Sequence, residues 1–305
     1  MEVLTARETA ARLPYAALAD AIREVALARS SGSVQAPPRI ALPLRAKPGA
    51  VLLVMPASDA EIAITKLVTV HPDNAGHNLP TIQGEVVVME AETGTRLGLL
   101  DGATVTARRT AALSLLAARE LAPRPDAPLL IVGAGAQARS HLEAFAEGLG
   151  VSKVFLTSRT RERAEALAAR ARELGVEAAV AESPEEALSE VGLIVTATTS
   201  REPVLPEGVR DGTFVAAVGS FEPEAAELPP GLISGSTVVV DTIEGAKEEA
   251  GDLIRAEQAG AFSWSDATSL EDALRDEARP TGTVVFESVG HALWDLAAAR
   301  AAFAR

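Results

Sequence analysis

Cysteine is absent from the 305 residues, which excludes disulfides, a thiolate nucleophile and any cysteine-ligated metal. Positive charge is scarce: 28 lysines and arginines stand against 42 aspartates and glutamates, a formal net charge of −14. That balance argues against nucleic acid or an anionic membrane as partner, so an anionic ligand must be held by local groups against the global field. No apolar run reaches the roughly 18 residues that a membrane span needs. Met1 to Leu13 carries Glu2, Arg7 and Glu8 where a signal peptide would have an apolar core. The expectation is a soluble, cytoplasmic protein. Histidine is sparse too: His71, His77, His141 and His291. The first two share a polar loop without a third ligand at suitable spacing, and a packing or capping role is expected for His141. No G-x-S-x-G elbow occurs, which leaves a serine hydrolase without support.

What the chain does have, near its middle, is a glycine-rich strand exit. Leu129-Leu130-Ile131-Val132 reads as a strand buried on both faces, Gly133-Ala134-Gly135-Ala136-Gln137-Ala138 follows, and a helical pattern runs on from Ser140 to Phe145. This is the G-x-G-x-x-G/A fingerprint of a dinucleotide-binding unit, with Ala138 in the third place. Gly133 permits the sharp turn, Gly135 lets a pyrophosphate approach the backbone, and Ala138 lets the helix pack close to the strand. Free N–H groups at the helix start, with the positive end of its dipole, then face the phosphates. The next strand, Lys153 to Thr157, ends in Ser158-Arg159-Thr160-Arg161 without an acid. An NAD-preferring unit places an acidic residue there to accept from the ribose hydroxyls. The expected cofactor is therefore NADP(H), with Arg159 the chief contact to a 2′-phosphate and Ser158 and Thr160 supporting it, while NAD(H) is left open. The plain alternative is that Arg159 and Arg161 merely open a charged surface helix.

Around this core the chain falls into two styles. Thr5-Ala-Arg-Glu8 is a capping box, followed by helical spacing through Leu27 and a break at Gln35-Ala-Pro-Pro-Arg39. Strand-like runs occupy 39–44, 50–55, 61–70, 85–89 and 96–100, linked by turns, which predicts an antiparallel or mixed sheet. A helix is expected over 106–120, and the proline-rich 121–128 marks a boundary. Beyond it strands and helices alternate, with apolar strands at 193–197, 213–218 and 237–240 and a helix capped at Ser183, as a parallel doubly wound sheet requires. Ala292 to Phe303 is the last helix. The acids Glu222, Glu224 and Glu227 are broken by Pro223 and do not read as a metal site, and Lys247 with Glu248, Glu249 and Asp252 reads as a solvated helix face.

In order and spacing the chain resembles the ornithine cyclodeaminase/mu-crystallin family. The resemblance rests on Pro38-Arg39, Met55-Pro56, Lys66, Leu79-Pro-Thr81, Thr93-Gly94 and Thr106-Ala-Arg-Arg-Thr-Ala-Ala112. It continues through Gly133 to Ala138, Ala217-Val-Gly-Ser220, Glu227-Leu228, Asp241 and Phe286-Glu-Ser-Val-Gly290. It implies an α/β protein in which a Rossmann-type doubly wound parallel sheet, residues 121–287, is inserted in a discontinuous α+β substrate-binding and dimerisation domain, residues 1–120 plus 288–305. It also implies a homodimer, and an active site in the cleft between the domains. Thr198, Val218, Gly219 and Gly290 join Gly133, Gly135, Ala136, Gln137 and Ala138 in the implied cofactor set.

By the same resemblance Arg39, Lys66 and Arg109 surround the carboxylate and the reacting carbon of a small imino, keto or amino acid, with Thr81 at a polar position beside them. Taken alone, Lys66 in an apolar strand could be solvated, and a threonine in a strand needs no special explanation. Arg109 is read as opening its helix, where the dipole opposes a cation, so that a local anion should favour it. The implied chemistry is hydride transfer from reduced nicotinamide to the C=N carbon of a cyclic ketimine such as Δ1-pyrroline-2-carboxylate. Arg109 and Arg39 would hold the carboxylate, and Lys66 would polarise the substrate or deliver a proton. Three alternatives stay open: an ornithine cyclodeaminase, an alanine-dehydrogenase-like enzyme, and a cofactor-bound binding protein of mu-crystallin type. By the same resemblance, cyclodeaminases carry an aspartate after a Val-Gly-Gly turn; here the turn is Ala217-Val-Gly-Ser-Phe221, with Phe221 at the matching place.

Overall fold

The computed structural model describes residues 1–77, 79–276 and 278–304. The chain forms two compact units, Met1–Arg109 with His291 onward, and Thr110–Gly290.

The first unit is built on a six-stranded sheet of β1 (Glu2–Val3), β2 (Ile40–Pro43), β3 (Val51–Ser58), β4 (Ile62–Val70), β5 (Ile82–Glu90) and β6 (Arg96–Asp101), in the spatial order β1-β6-β5-β4-β3-β2. From β2 to β6 the neighbours are antiparallel, as their short connections dictate, and β1 joins β6 in parallel. All five expected runs are strands; only the two-residue β1 was not anticipated. The capping box forms: Glu8 N–H donates to Thr5 Oγ1, and the Thr5 N–H donates to Glu8 Oε2 at 2.9 Å. The single helix expected behind it is two, α1 (Ala6–Ala11) and α2 (Tyr15–Arg29). Pro14, which cannot donate to the helix ladder, separates them.

Strand alternation sorts β4 into two faces. Ile62, Ile64, Lys66 and Val68 are buried, whereas Leu67 points the other way and is 41% exposed. The inward face is covered by the final helix, α10 (Ala292–Phe303), which packs in turn on α2. Lys66 is thereby placed in the core, and the solvated alternative for it is excluded.

The helix expected over 106–120 is longer, α3 (Gly102–Leu121), and the division between the units falls inside it. Its later turns belong with the second unit, where Ser114 Oγ lies 2.9 Å from His141 Nε2. That unit contains β7 (Leu129–Val132), α4 (Ala136–Leu149), β8 (Lys153–Thr157), α5 (Arg161–Glu173), β9 (Glu177–Val180), β10 (Leu193–Thr196) and β11 (Phe214–Ala217). Next come α6 (Pro230–Ser234), β12 (Thr237–Val240), α7 (Ile243–Glu249), α8 (Gly251–Gln258), β13 (Ala267–Ser269), α9 (Leu270–Ala273) and β14 (Val284–Glu287). The eight strands pair in parallel in the order β13-β12-β14-β11-β10-β7-β8-β9. Every residue of β7, β10, β11 and β14 is buried, which explains their largely apolar runs, broken only at the last residues Thr196 and Glu287. The order reverses between β7 and β10, the switch point outside which such sheets bind ligands. One expectation fails locally: Ser183 makes no capping bond, and Pro184–Glu186 forms only a 3-10 turn.

Candidate active site

In the first unit two cations, Lys66 and Arg109, meet one carboxylate, and the charge of a third, Arg39, acts on Lys66. Lys66 Nζ donates to Asp295 Oδ1 at 2.9 Å and lies 2.8 Å from Oδ2, with Thr106 Oγ1 at 3.4 Å. Arg109 Nε is 3.5 Å from Asp295 Oδ1, too poorly placed for a hydrogen bond, and this buried donor has no hydrogen-bond partner among the described residues. Asp295 is wholly buried, Lys66 is 3% and Arg109 6% exposed. Burial pushes the Lys66 pKa down to about 8; Asp295 opposes the fall, and the like charges of Arg109 and the half-buried Arg39 add to it. The structure thus brings Arg39, Lys66 and Arg109 together. It also corrects the reading of Arg109 as the opening of its helix. α3 begins at Gly102, so Arg109 lies beyond the first turn, where the dipole has faded, and Asp295 supplies the anion instead.

Asp295 was missed in the sequence. It is the one acid in the largely apolar Ala292–Phe303 helix, and that isolation was the available signal. Thr81 is half-buried and precedes β5, its carbonyl accepting from the His71 N–H at 2.8 Å. It stands five residues from Val86, the register partner of Lys66, and among the described residues no hydrogen bond joins it to the cations.

In the second unit the glycine loop lines a cavity of about 470 Å³ at the carboxyl ends of β7, β8 and β10. Gly133 adopts φ +116°, and a Cβ there would meet the Ala197 carbonyl oxygen at 2.4 Å, so only glycine fits. At Gly135 a Cβ would meet nothing within 4 Å. That open space above the first turn of α4 is the cradle a pyrophosphate needs, and the residues present therefore fit a dinucleotide. Gly135→Val is accordingly expected to fold with an unchanged melting temperature while nucleotide affinity falls at least about tenfold, because its side chain occupies the phosphate's place. Fluorescence titration with reduced nicotinamide nucleotide checks this; unaltered affinity would remove the loop from the site.

Behind the loop, Ala138 is fully buried, as close helix–strand packing requires. His141 is buried with its Nδ1–H donating to the Gln137 carbonyl at 2.8 Å, so Nε2 accepts from Ser114; burial pushes its pKa down to about 4. Ser158, Arg159 and Thr160 line the cavity, joined by Arg163, which the sequence reading had passed over. Arg161, by contrast, is engaged with Glu165 at 3.0 Å and with Glu182, in keeping with a surface role. Thr198 lines the cavity wall and Gly219 lies beside it, both tied to the buried Glu227. Gly290, at φ +89°, donates its N–H to Asp241 at 2.8 Å. Asp252, read from sequence as solvated, is wholly buried, because it turns inward to accept from the Glu227 and Leu228 N–H groups at 2.6 and 2.7 Å. Among the described residues no group of three or more histidines or carboxylates is placed to hold a metal, and no helix is long and apolar enough to cross a membrane.

The family model of the ornithine cyclodeaminase/mu-crystallin family matches residues 1–305. The Δ1-pyrroline-2-carboxylate/Δ1-piperideine-2-carboxylate reductase of Azospirillum brasilense is 38% identical over 307 residues, covering 98% of this chain and 94% of that protein. Among solved structures, the Δ1-pyrroline-2-carboxylate reductase of Thermococcus litoralis, in complex with NADH and L-proline, superposes with a TM-score of 0.92 at 28% identity, covering 99% of this chain and 96% of that one. An archaeal alanine dehydrogenase dimer with bound NAD superposes with a TM-score of 0.89 at 27% identity, covering 99% and 94%.

Proposed function

The chain belongs to the ornithine cyclodeaminase/mu-crystallin family, and on that footing we propose that it is a nicotinamide-dependent reductase of a small cyclic ketimine acid of the Δ1-pyrroline-2-carboxylate type. One observation carries the reading most: Lys66 and Arg109 share a single carboxylate, Arg39 is close enough for its charge to act on Lys66, and the buried Arg109 Nε lacks a hydrogen-bond acceptor among the described residues. A substrate carboxylate supplies the missing acceptor and charge, and the planar guanidinium suits its two oxygens. Bound reduced nicotinamide supplies the hydride to the C=N carbon. The nitrogen then needs one proton, and Lys66, with a pKa near 8, holds one at neutral pH and releases it readily. Arg109 and Arg39 fix the carboxylate, which orients the carbon.

The test is a turnover assay with Δ1-pyrroline-2-carboxylate, with pyruvate plus ammonia, and with ornithine. Multiple-turnover oxidation of reduced cofactor, yielding proline from the ketimine, is expected. No proline is expected from ornithine, since the half-exposed phenyl ring of Phe221 can neither accept a proton from the substrate ammonium nor pair with it. Turnover confined to pyruvate and ammonia would favour the alanine-dehydrogenase reading, and stoichiometric binding without turnover the binding-protein one.

The cofactor reading is NADP(H) over NAD(H). Arg159 and Arg163 line the cavity without an acidic partner among the described residues, and β8 ends without the acid that would repel a 2′-phosphate. Arg159→Ala is expected to weaken NADPH binding about tenfold, the worth of one charge-assisted bond, and to leave NADH nearly untouched. Tighter binding of NADH than NADPH by the unaltered protein would overturn this.

The partner reading is a second copy of the chain. Register places Ile40 and Leu42 beside Val54 and Leu67, and Leu99 beside Val3, all on the sheet face opposite Lys66. Ile40, Leu42, Leu67 and Val3 are exposed there. An apolar sheet face of this kind marks an association surface, and a two-fold pairing closes on itself. Leu67→Lys is expected to shift the protein from dimer to monomer in analytical ultracentrifugation; a monomeric parent protein would refute the pairing.

A further inference from the structure

The second unit buries four carboxyl groups near the ends of its central strands, Glu227, Asp241, Asp252 and Glu287, while the buried cations among the described residues, Lys66 and Arg109, lie in the first. Their hydrogen bonds divide them sharply. Glu227 is saturated: Oε1 accepts from the Thr198 N–H at 2.6 Å and hydroxyl at 2.7 Å, Oε2 from the Thr196 hydroxyl at 2.9 Å and the Gly219 N–H at 2.8 Å. Burial raises the Glu227 pKa, and the hydrogen bonds from Thr198, Gly219 and Thr196 oppose that rise. Asp241 accepts from the N–H groups of Thr242 and Gly290. Asp252 uses Oδ1 to hold the backbone of Glu227 and Leu228, but its Oδ2 finds no donor. Glu287, at the end of β14 between β11 and β12, has both oxygens buried and without a donor.

A buried carboxylate with no donor on either oxygen is too costly to persist charged. A proton on one Glu287 oxygen, donated to Asp252 Oδ2, partners two of the three orphaned oxygens and removes one of the buried charges. Burial raises Glu287 well above the usual carboxylate range, and the charges that face it, Asp252, Glu227 and Asp241, all push the same way; Asp252 rises to about 7, also chiefly through burial.

We propose that Glu227 is a positioning residue for the nucleotide, clamping the exits of β10 and β11 at Thr198 and Gly219, and that a proton held between Glu287 and Asp252 keeps this clamp in place. The proposal rests on the cofactor reading above, since Thr198 forms the wall of the nucleotide cavity. The approach is tight: a Cβ on Gly219 would lie 2.3 Å from the Thr198 carbonyl oxygen and 2.6 Å from Glu227 Oε1, so a shift of the carboxylate is transmitted directly to both chain segments. When the pH rises and the shared proton leaves, two adjacent carboxylates repel and Asp252 pulls away the backbone that carries Glu227. The sign follows from the raised pKa: the contribution is present in acid and lost as the pH climbs through the folded-state value.

The experiment is titration of NADPH and NADH into the purified protein from about pH 6 to about pH 9.5, followed by nicotinamide fluorescence, with melting temperatures of the nucleotide-free protein alongside. Affinity of the parent protein is expected to fall on the alkaline side. Glu227→Gln, which turns one acceptor into a donor facing a backbone N–H, is expected to weaken binding about tenfold or more. Glu287→Ala is expected to weaken it at every pH, and Glu287→Gln, whose amide donates to Asp252 regardless of pH, to restore it and flatten the alkaline fall. A merely structural role would lower the melting temperature without moving that pH profile. Retention of the alkaline fall in Glu287→Gln, or affinity within about twofold of the parent in folded Glu227→Gln, overturns the proposal, and the Glu287 pair decides alone if Glu227→Gln does not fold. A parent protein that binds neither nucleotide overturns the cofactor reading itself.

Discussion

Lys66→Met is expected to lower kcat for ketimine reduction by about a hundredfold to ten-thousandfold, the range for loss of a positioned general acid, with nucleotide affinity unchanged. Lys66 Nζ is held by Asp295 and Thr106 and its side chain is buried, which limits replacement of it by a solvent donor. Methionine keeps the length and apolar stem of the side chain, which limits the packing loss, and Asp295 retains Arg109 at 3.5 Å. The pH profile carries a second signature. With its pKa lowered to about 8, Lys66 is a proton donor below that value and a neutral amine above it, so kcat/KM should fall above about pH 8. Its own contribution to stability runs the opposite way. The unfolded chain holds this proton up to the ordinary lysine value, so between the two values the unfolded state binds more protons and the Lys66 contribution grows with pH. The loss of rate that Lys66 causes above pH 8 is therefore not accompanied by a loss of stability from Lys66 itself. A folded Lys66→Met protein with kcat within about threefold of the parent would show that the proton comes from elsewhere.

What could be read from the chain, and what could not, follows from how local each signal is. The nucleotide loop was legible because its parts are contiguous: an apolar strand, Gly133, Gly135 and the helix that starts at Ala136 all fall within one short stretch. The inward direction of Lys66 was implicit in the alternation of Ile62, Ile64 and Val68 around it, yet alternation alone cannot say what an inward lysine meets. Its partner Asp295 lies 229 positions away, and only folding brings α10 across β4. Arg109 shows an error of register: its helix starts at Gly102, one turn before the first expected residue, and the dipole argument fell with it. The buried acids were the hardest. Asp252 sits among charged neighbours on α7 and α8 and reads as solvated, while Glu287 ends a strand whose other three residues are apolar, a mismatch that marks it only in hindsight. Glu227 was separated from Thr196, Thr198 and Gly219 by intervening loops, so its four donors could not be counted from spacing.

Arg109→Ala is expected to cut kcat/KM for the ketimine acid by about a hundredfold to ten-thousandfold. Two charge-assisted bonds to a carboxylate are lost, each worth about 1.5–3 kcal/mol, and every 1.4 kcal/mol or so is a factor of about ten. The buried Nε has no hydrogen-bond acceptor among the described residues, so it is available to a ligand rather than borrowed from an internal bond. A cyclic imine lacking the carboxylate separates this role from a general disturbance of the site: the parent and the variant should reduce it at similar, low efficiency. The electrostatics add a directional check. Arg109 is one of the like charges that lower the Lys66 pKa, so its removal should move the alkaline fall in kcat/KM to higher pH, because Lys66 then keeps Asp295 with less competition. Arg109→Lys retains the charge and should leave that limb near its original place while still losing the paired geometry and most of the efficiency. Near-parental kcat/KM in folded Arg109→Ala would remove the carboxylate clamp from the mechanism. An alkaline limb that stays put would show that Arg109 does not act on Lys66.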